Sequence, residues 1–514
     1  MRGRATVLPT FLLTLLLLSA GCLQRPTPNP GIIVASVTSG PNNLDPRVGT
    51  DDVSQKLHQL MYDNLMELDD HLRVVPRLAE RLDHPDPLTY IVTLRRGVLF
   101  QDGHELTSTD VVYTFTSLLD PAFTSAKKGA YRDVQLVDAL DDYTVAFHLK
   151  RPFASFPINL VIPIVAKGAG ADLNEHPMGT GPYRFVRYLV DDHIELSAFD
   201  QYFQGRPKND GIILKIVPDE VMRGLEARKG TIDVIVNDIS PDIAFQLKND
   251  PHLQMVEGPG ADYQYIGLNL RDPILSDVRV RHALAYAIDR RAIVDSLRRG
   301  LAVPATGMLP PMSWALAPDL DTWPYDPERA RQLLDEAGYT DPDGDGPKVR
   351  FSLTLKVSNI EFNRLQATVV QQNLQQIGIA LDVRTYEFAT LYADVVSGNF
   401  QLFFLQWTAG SLADPDILRR TFHSTQTPPI GFNRGGFNDP RVDALLDEAG
   451  ATEDAARRLA LYQDVQRLLH DESPYNSLWH KTNFVIAQKS LSGIRLNPQA
   501  DLLFLKDVTR HDAS

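Results

Sequence analysis

Asp326-Pro327-Glu328-Arg329-Ala330-Arg331-Gln332-Leu333-Leu334-Asp335-Glu336-Ala337-Gly338, followed after ten intervening residues by Val349-Arg350-Phe351-Ser352-Leu353-Thr354-Leu355, sets the architecture of this chain. Asp326 is a helix cap, and Pro327 fits the first helical position, where its missing N–H costs nothing. Ala330, Leu333, Leu334 and Ala337 then fall on one face, and Gly338 stops the run. The segment after the turn has the period of a strand. Asp439-Pro440 repeats the helix device, with Val442, Leu445, Leu446 and Ala449 inward and Gly450 as stop. A further helix is expected from Asp277 to about Arg299, burying Ala283, Leu284, Ala287 and Ile288. Strands are expected at Tyr90–Leu94, Tyr143–Leu149, Ile212–Val217, Ile232–Val236, Val349–Leu355, Ile379–Val383 and Leu402–Trp407. Several are apolar on consecutive residues, as strands covered on both faces are. Helices and strands alternate throughout, which predicts α/β architecture divided into more than one lobe.

The N-terminus is addressing information. Arg2 and Arg4 precede an apolar run from Val7 to Leu18, too short for a typical membrane span, and Ser19-Ala20-Gly21-Cys22 follows. This order predicts a signal peptide over 1–21. Leu18-Ser19-Ala20-Gly21-Cys22 resembles a bacterial lipobox, with Ser19 where many carry Leu, and predicts lipidation of Cys22. Cys22 is the sole cysteine, so no intrachain disulfide can form. The alternative is an ordinary cleaved signal with a leftover thiol. Residues 22–30, with three prolines, read as a lipid-anchored tether.

The chain carries 51 Lys+Arg against 65 Asp+Glu. Residues 1–21 hold two Arg and no acid, so the remainder has 49 basic and 65 acidic residues, net −16. That balance argues against nucleic acid as a partner. There is no phosphate-cradling Gly-x-x-x-x-Gly-Lys-Ser/Thr, no His-Glu-x-x-His and no Gly-x-Ser-x-Gly, so an enzyme has no positive support and no cofactor is expected. Asp341-Pro342-Asp343-Gly344-Asp345-Gly346 matches the first half of a calcium loop, but Ser352 stands where the twelfth-position Glu is required. An Asp/Gly-rich turn without a metal is the expected reading.

A series of strings then recurs in order: Asn43-Leu44-Asp45-Pro46, Tyr62-Asp63-Asn64-Leu65, Val75-Pro76-Arg77-Leu78-Ala79-Glu80, and Leu94-Arg95-Arg96-Gly97-Val98-Leu99-Phe100-Gln101-Asp102-Gly103. Next come Leu106-Thr107-Ser108-Thr109-Asp110-Val111, Gly179-Thr180-Gly181-Pro182-Tyr183 and Gly230-Thr231-Ile232-Asp233-Val234. The series closes with Asp277 to Arg290, the Tyr325–Tyr339 helix, Ile377-Gly378-Ile379 and Trp407. Together these span residues 31–500, and the chain resembles the family 5 extracellular solute-binding proteins, which serve ABC importers of peptides and nickel.

The resemblance implies a two-lobed periplasmic-binding-protein fold of class II with three domains and a hinge cleft. One lobe would combine 31–265 with 484–514 and include a second subdomain over about 67–175; the other would span 266–483. The chain would cross between them near Tyr263–Asn269 and Lys481–Ile486. It also implies Trp407 at the cleft, with Thr408 and Gly410 in the loop that meets the ligand, although a strand-ending Trp can equally be core. Tyr263 and Tyr265 are expected to line the mouth near the hinge; Asn269 and Asn43 would either join them or cap turns. Peptide-binding relatives place an Asp about three residues after this Trp to meet the ligand ammonium, and here that residue is Gly410. The expected partners are a peptide or similar small solute, an ABC permease and, through Cys22, a membrane; the protein is expected to be a monomer in the bacterial cell envelope. A ligand-sensing receptor of the same fold is the alternative, and a secreted hydrolase a more distant one.

Overall fold

The computed structural model describes residues 30–511 apart from Asp345. The expected signal segment and Cys22 lie outside the described residues.

Three sheets organise the chain. A seven-stranded sheet has the order Leu253–Gly258, Asn483–Gln488, Val234–Val236, Ile32–Val37, Gly211–Ile216, His193–Ala198, Tyr183–Leu189. Ile32–Val37 lies near its middle and runs parallel to both of its neighbours. A four-stranded antiparallel sheet, Ala79–Asp86, Thr89–Leu94, Thr144–Leu149 and Val134–Asp141, carries the helix Ser108–Leu119 on a core of its own. Thr89–Leu94 alternates buried and half-buried residues, as a sheet with one packed face requires. These two sheets form the first lobe.

The second lobe is built on a six-stranded sheet: Ala302–Pro304, Tyr475–Lys481, Tyr263–Leu268, Leu402–Trp407, Phe351–Ser358, Ile379–Tyr386. Every residue of Tyr263–Leu268 is buried, because cores lie on both faces of this sheet. Residues opposite one another in an antiparallel pair share a face. Tyr263, Tyr265 and Gly267 therefore lie with Trp407, Leu405 and Phe403, while Gln264, Ile266 and Leu268 point to the other side.

The chain passes between the lobes twice. Residues 259–262 join Leu253–Gly258 to Tyr263–Leu268, and Thr482 alone joins Tyr475–Lys481 to Asn483–Gln488. The two crossings run side by side: the Lys481 N–H donates to the Asp262 carbonyl at 2.9 Å. A Cβ on Gly260 would fall 2.0 Å from the Lys481 oxygen, so no larger residue fits there. Asn483 ties the crossing down from below by donating Nδ2–H bonds to the carbonyls of Pro259 (2.7 Å) and Pro498 (3.1 Å).

The turn-and-cap signals place most elements to within two or three residues. The long helix expected from Asp277 is instead two, Val278–Ala287 and Arg290–Ser296. Ile288 is extended, and Asp289 caps the second helix by accepting from the Ala292 N–H. The buried Arg290 guanidinium reaches back to the carbonyls of Ala285, Ile288 and Ser477, which fixes the break. Gly450, expected to stop its helix, is taken up inside Pro440–Ala451. In the acidic turn the Asp343 carboxylate accepts from the Lys348 N–H, and Asp341 accepts from that of Asp343.

Candidate ligand site

Phe351–Ser358 is parallel to both Ile379–Tyr386 and Leu402–Trp407, so all three strands end on the same side of the second lobe. Leu402–Trp407 is antiparallel to Tyr263–Leu268 on its other edge. In open α/β sheets ligands bind in the crevice outside the carboxyl ends of the parallel strands. Trp407 ends its strand there, directly opposite Tyr263, the first residue after the crossing.

The loop after Trp407 lies in the seam between the lobes. Asp262 holds it: its Oδ1 accepts the Ala409 N–H at 2.9 Å, and its Oδ2 accepts Gln406 Nε2–H at 2.7 Å. Ala409 packs with Leu72 of the first lobe and Ala261 of the crossing, and Met312 packs against this cluster. Thr408 and Gly410 are exposed, and nothing lies within 4 Å of where a Gly410 Cβ would be.

Trp407 itself is 8 % exposed. Its ring meets Phe432 edge-on at 5.0 Å, and the Arg434 guanidinium lies 5.5 Å from it. Arg434 is 5 % exposed and sits among the rings of Tyr392 (5.2 Å), Phe432 (5.4 Å) and Trp407. Its Nη1 and Nη2 donate to the hydroxyls of Tyr265 (3.4 Å) and Tyr392 (3.2 Å). The segment that carries it is pinned: Gly435 approaches the Leu268 carbonyl so closely that a Cβ would fall 2.3 Å from the oxygen, and Gly436 has φ +74°. Asn433 braces the same turn through the carbonyls of His423 and Phe437. Phe388 and Tyr392, stacked on the first turns of the helix Phe388–Ser397, expose aromatic surface beside it.

The other expected site residues lie deeper or farther away. Tyr263 (1 % exposed) bonds Ser477 at 2.6 Å, and Tyr265 (0 %) stacks between Tyr263 and Tyr475. Expected at the mouth, they instead form the packed layer behind Trp407, and Tyr265 touches the site through Arg434. Asn269 sits at the opposite end of its strand, with Nδ2 donating to the Phe400 carbonyl and Oδ1 accepting from Arg271. Asn43 accepts from the Asp45 N–H in a turn of the first lobe. Both asparagines are turn caps, the second of the two readings open for them. Sequence reasoning missed Tyr392, Phe432 and Arg434. The signal was present in Gly431-Phe432-Asn433-Arg434-Gly435-Gly436-Phe437, where an arginine between aromatics is set in a glycine-rich loop.

The lobes also meet away from the crossing. Ser155, at the end of the first lobe's small subdomain, donates to Asp414 Oδ1 at 2.8 Å and accepts from Arg458 Nη2 at 2.6 Å. The Ala154 N–H donates to the Gly450 carbonyl at 3.1 Å, and His84 faces Glu453 at 3.7 Å. Burial pushes the Asp414 carboxyl up to about 6, with Arg458 opposing and Asp416 adding to the shift. Among the described residues no group of His, Cys, Asp and Glu could hold a metal ion, and no helix is long and apolar enough to cross a membrane.

The glutathione-binding protein GsiB of Salmonella choleraesuis is 32 % identical over 488 residues, covering 92 % of this chain and 93 % of its own. GsiB of Escherichia coli O1:K1 is 31 % identical with the same coverage. Among solved structures, the oligopeptide-binding protein AppA of Bacillus subtilis, in complex with a nonapeptide, superposes with a TM-score of 0.75 at 28 % identity over 94 % of this chain and 99 % of its own. HbpA2 of Haemophilus parasuis gives 0.81 at 28 %, over 93 % and 99 %. The profile of the bacterial extracellular solute-binding proteins, family 5, matches residues 73–429, and the chain belongs to that family.

Proposed function

We propose that the protein captures a peptide-like solute between its lobes, against the surface formed by Trp407, Thr408, Gly410, Phe432 and Arg434, and delivers it to an ABC permease. One observation carries this reading: the strand-ending Trp407 and its exposed loop lie in the lobe seam, tied to the crossing by Asp262 and packed against Leu72 of the opposite lobe. A solute placed there touches both lobes and the crossing at once. Its binding free energy then differs between open and closed forms, which is the requirement for a ligand to shift their balance.

The Ser155, Asp414 and Arg458 contacts across the seam are those of a closed form. Rotation about residues 259–262 and Thr482 would break them and admit solute. No chemical step is needed. The relatives' solutes, glutathione and a nonapeptide, support a peptide-like ligand for this chain as well. We further read the protein as a monomer, exported by residues 1–21 and held at a membrane through lipid on Cys22.

Small-angle scattering with and without glutathione tests closure. A fall in radius of gyration that saturates with glutathione supports the reading. Titration calorimetry and scattering that both stay flat for glutathione and for a panel of di- and tripeptides would refute a peptide-like solute.

A further inference from the structure

The crossing between the lobes has two sides, and the lobes touch on both. On the front, Ala409 packs with Leu72 beside Trp407. The rear begins on the opposite face of the hinge strands, where Trp479 Nε1–H donates to Gln264 at 2.9 Å and the Arg298 guanidinium lies 5.6 Å from the Trp479 ring. The next residue, Arg299, reaches across to the first lobe. Its Nε–H donates to Asp242 Oδ1 at 2.7 Å, and its guanidinium carbon sits 5.4 Å over the ring of Phe245. Both partners belong to the helix Pro241–Lys248. The arm that carries Arg299 is short. Arg299 has φ +53° and Gly300 φ +79°, in a turn closed by the Gly300 N–H on the Val294 carbonyl at 3.0 Å. Two residues on, Leu301 is buried in a cluster with Ala244, Phe484 and Ile486 of the first lobe. The Leu301 carbonyl accepts from the N–H of Thr482, the second crossing, at 3.3 Å. Leu301 therefore sits at the pivot, with Arg299 just beyond it. When two bodies turn about such a pivot, parting them on one side presses them together on the other.

We propose that Arg299, Asp242 and Phe245 form a rear stop for the hinge, which sets solute affinity without touching the solute. This rests on the solute-capture reading above and adds a control on it. Opening the front drives Arg299 toward the helix Pro241–Lys248, against which it already stands at contact distance. Bulk at the rear therefore disfavours the open form, and the solute-holding closed form gains the population that the open form loses. A latch, holding the closed form by attraction alone, would behave differently: removal of either charged partner would weaken binding. The Arg299 and Asp242 side chains are 44 % and 55 % exposed, so water screens their attraction and leaves it small. Water does not screen volume, and the volume of these three side chains is what opposes opening.

Two substitutions separate a stop from a latch. Arg299→Gly removes the side chain at a backbone angle that glycine adopts freely, and Asp242→Trp removes the ion pair while adding bulk at an exposed helix position. Titration calorimetry with glutathione and tri-alanine compares both variants with wild type, beside small-angle scattering and thermal melting without ligand. Arg299→Gly should bind about 3- to 10-fold more weakly, and Asp242→Trp about 2- to 10-fold more tightly. Without ligand, Arg299→Gly should scatter as a more open particle and Asp242→Trp as a more compact one, and both should melt within about 3 °C of wild type. Weaker binding by both variants makes the contact a latch and overturns the stop. Affinities of both within about twofold of wild type overturn it as well. So does a fall of more than about 5 °C in the melting temperature of both, which assigns the contact to the fold. If wild type binds neither probe, solute capture of this class has failed, and ligand-free scattering still decides the stop: equal dimensions for all three proteins overturn it, and opposite shifts of the two variants support it.

Discussion

Replacing Ser155 by Ala removes one oxygen from the first lobe and two hydrogen bonds from the seam. Ser155 Oγ donates to Asp414 Oδ1 at 2.8 Å and accepts from Arg458 Nη2 at 2.6 Å, so both lost bonds involve a charged partner. Neither partner is left bare: Asp414 Oδ1 keeps the Asp416 N–H at 2.8 Å, and Arg458 keeps the Ala449 carbonyl at 3.3 Å. The Ala154–Gly450 backbone bond also persists. With these residual partners the loss comes to about 1–3 kcal/mol, below the sum expected of two fully stripped charged bonds. It falls on the closed form alone, because an open seam hydrates both groups. A ligand that needs closure should therefore bind about 5- to 150-fold more weakly to Ser155→Ala. Titration calorimetry on wild type and variant measures the ratio, and scattering of the ligand-free variant should show a more open particle. Unchanged affinity with unchanged dimensions would refute the assignment of these contacts to closure.

Four further outcomes are expected. Burial raises the Asp414 carboxyl from the ordinary 3.8 to about 6 in the folded protein, so its contribution to folding stability should grow as pH falls from about 7 to 5; Asp414→Asn should flatten that slope when denaturant unfolding is followed at each pH. Gly410→Asp, which has open space for its side chain, should improve free-amine peptides over their N-acetylated forms by about 10-fold or more, and equal binding of the pair would show that the loop meets the ligand differently. Trp407→Ala should cost about 3–5 kcal/mol of fold stability as well as affinity, because the ring is 8 % exposed against Phe432 and Arg434; denaturant unfolding measures the first term. Cys22→Ser should move the protein from the membrane fraction to the soluble envelope fraction, and wild type already soluble with an unmodified N-terminus would contradict lipidation.

The α/β layout was legible because its signals are local. Asp-Pro caps at 326 and 439, and apolar runs such as Leu402–Trp407, need no tertiary information to be read. The break at Ile288 was not, since it depends on Arg290 reaching Ser477, 187 residues away. The same distinction divides the site. Trp407, Thr408 and Gly410 could be put forward from sequence because a strand end and a loop are written consecutively. Tyr263 and Tyr265 were placed at the mouth because alternation shows which residues share a face, but not how deep that face lies. Arg434 escaped notice because Tyr265, Tyr392 and Trp407 are distant in the chain and join Phe432 around it only in the fold.

Native mass spectrometry of wild-type protein purified from the cell envelope without refolding tests the central claim most directly. The account predicts a one-to-one, non-covalent adduct of a small, peptide-like solute, retained by wild type and depleted in Ser155→Ala. Wild-type protein that carries no adduct and gains none from a concentrated envelope extract would contradict it.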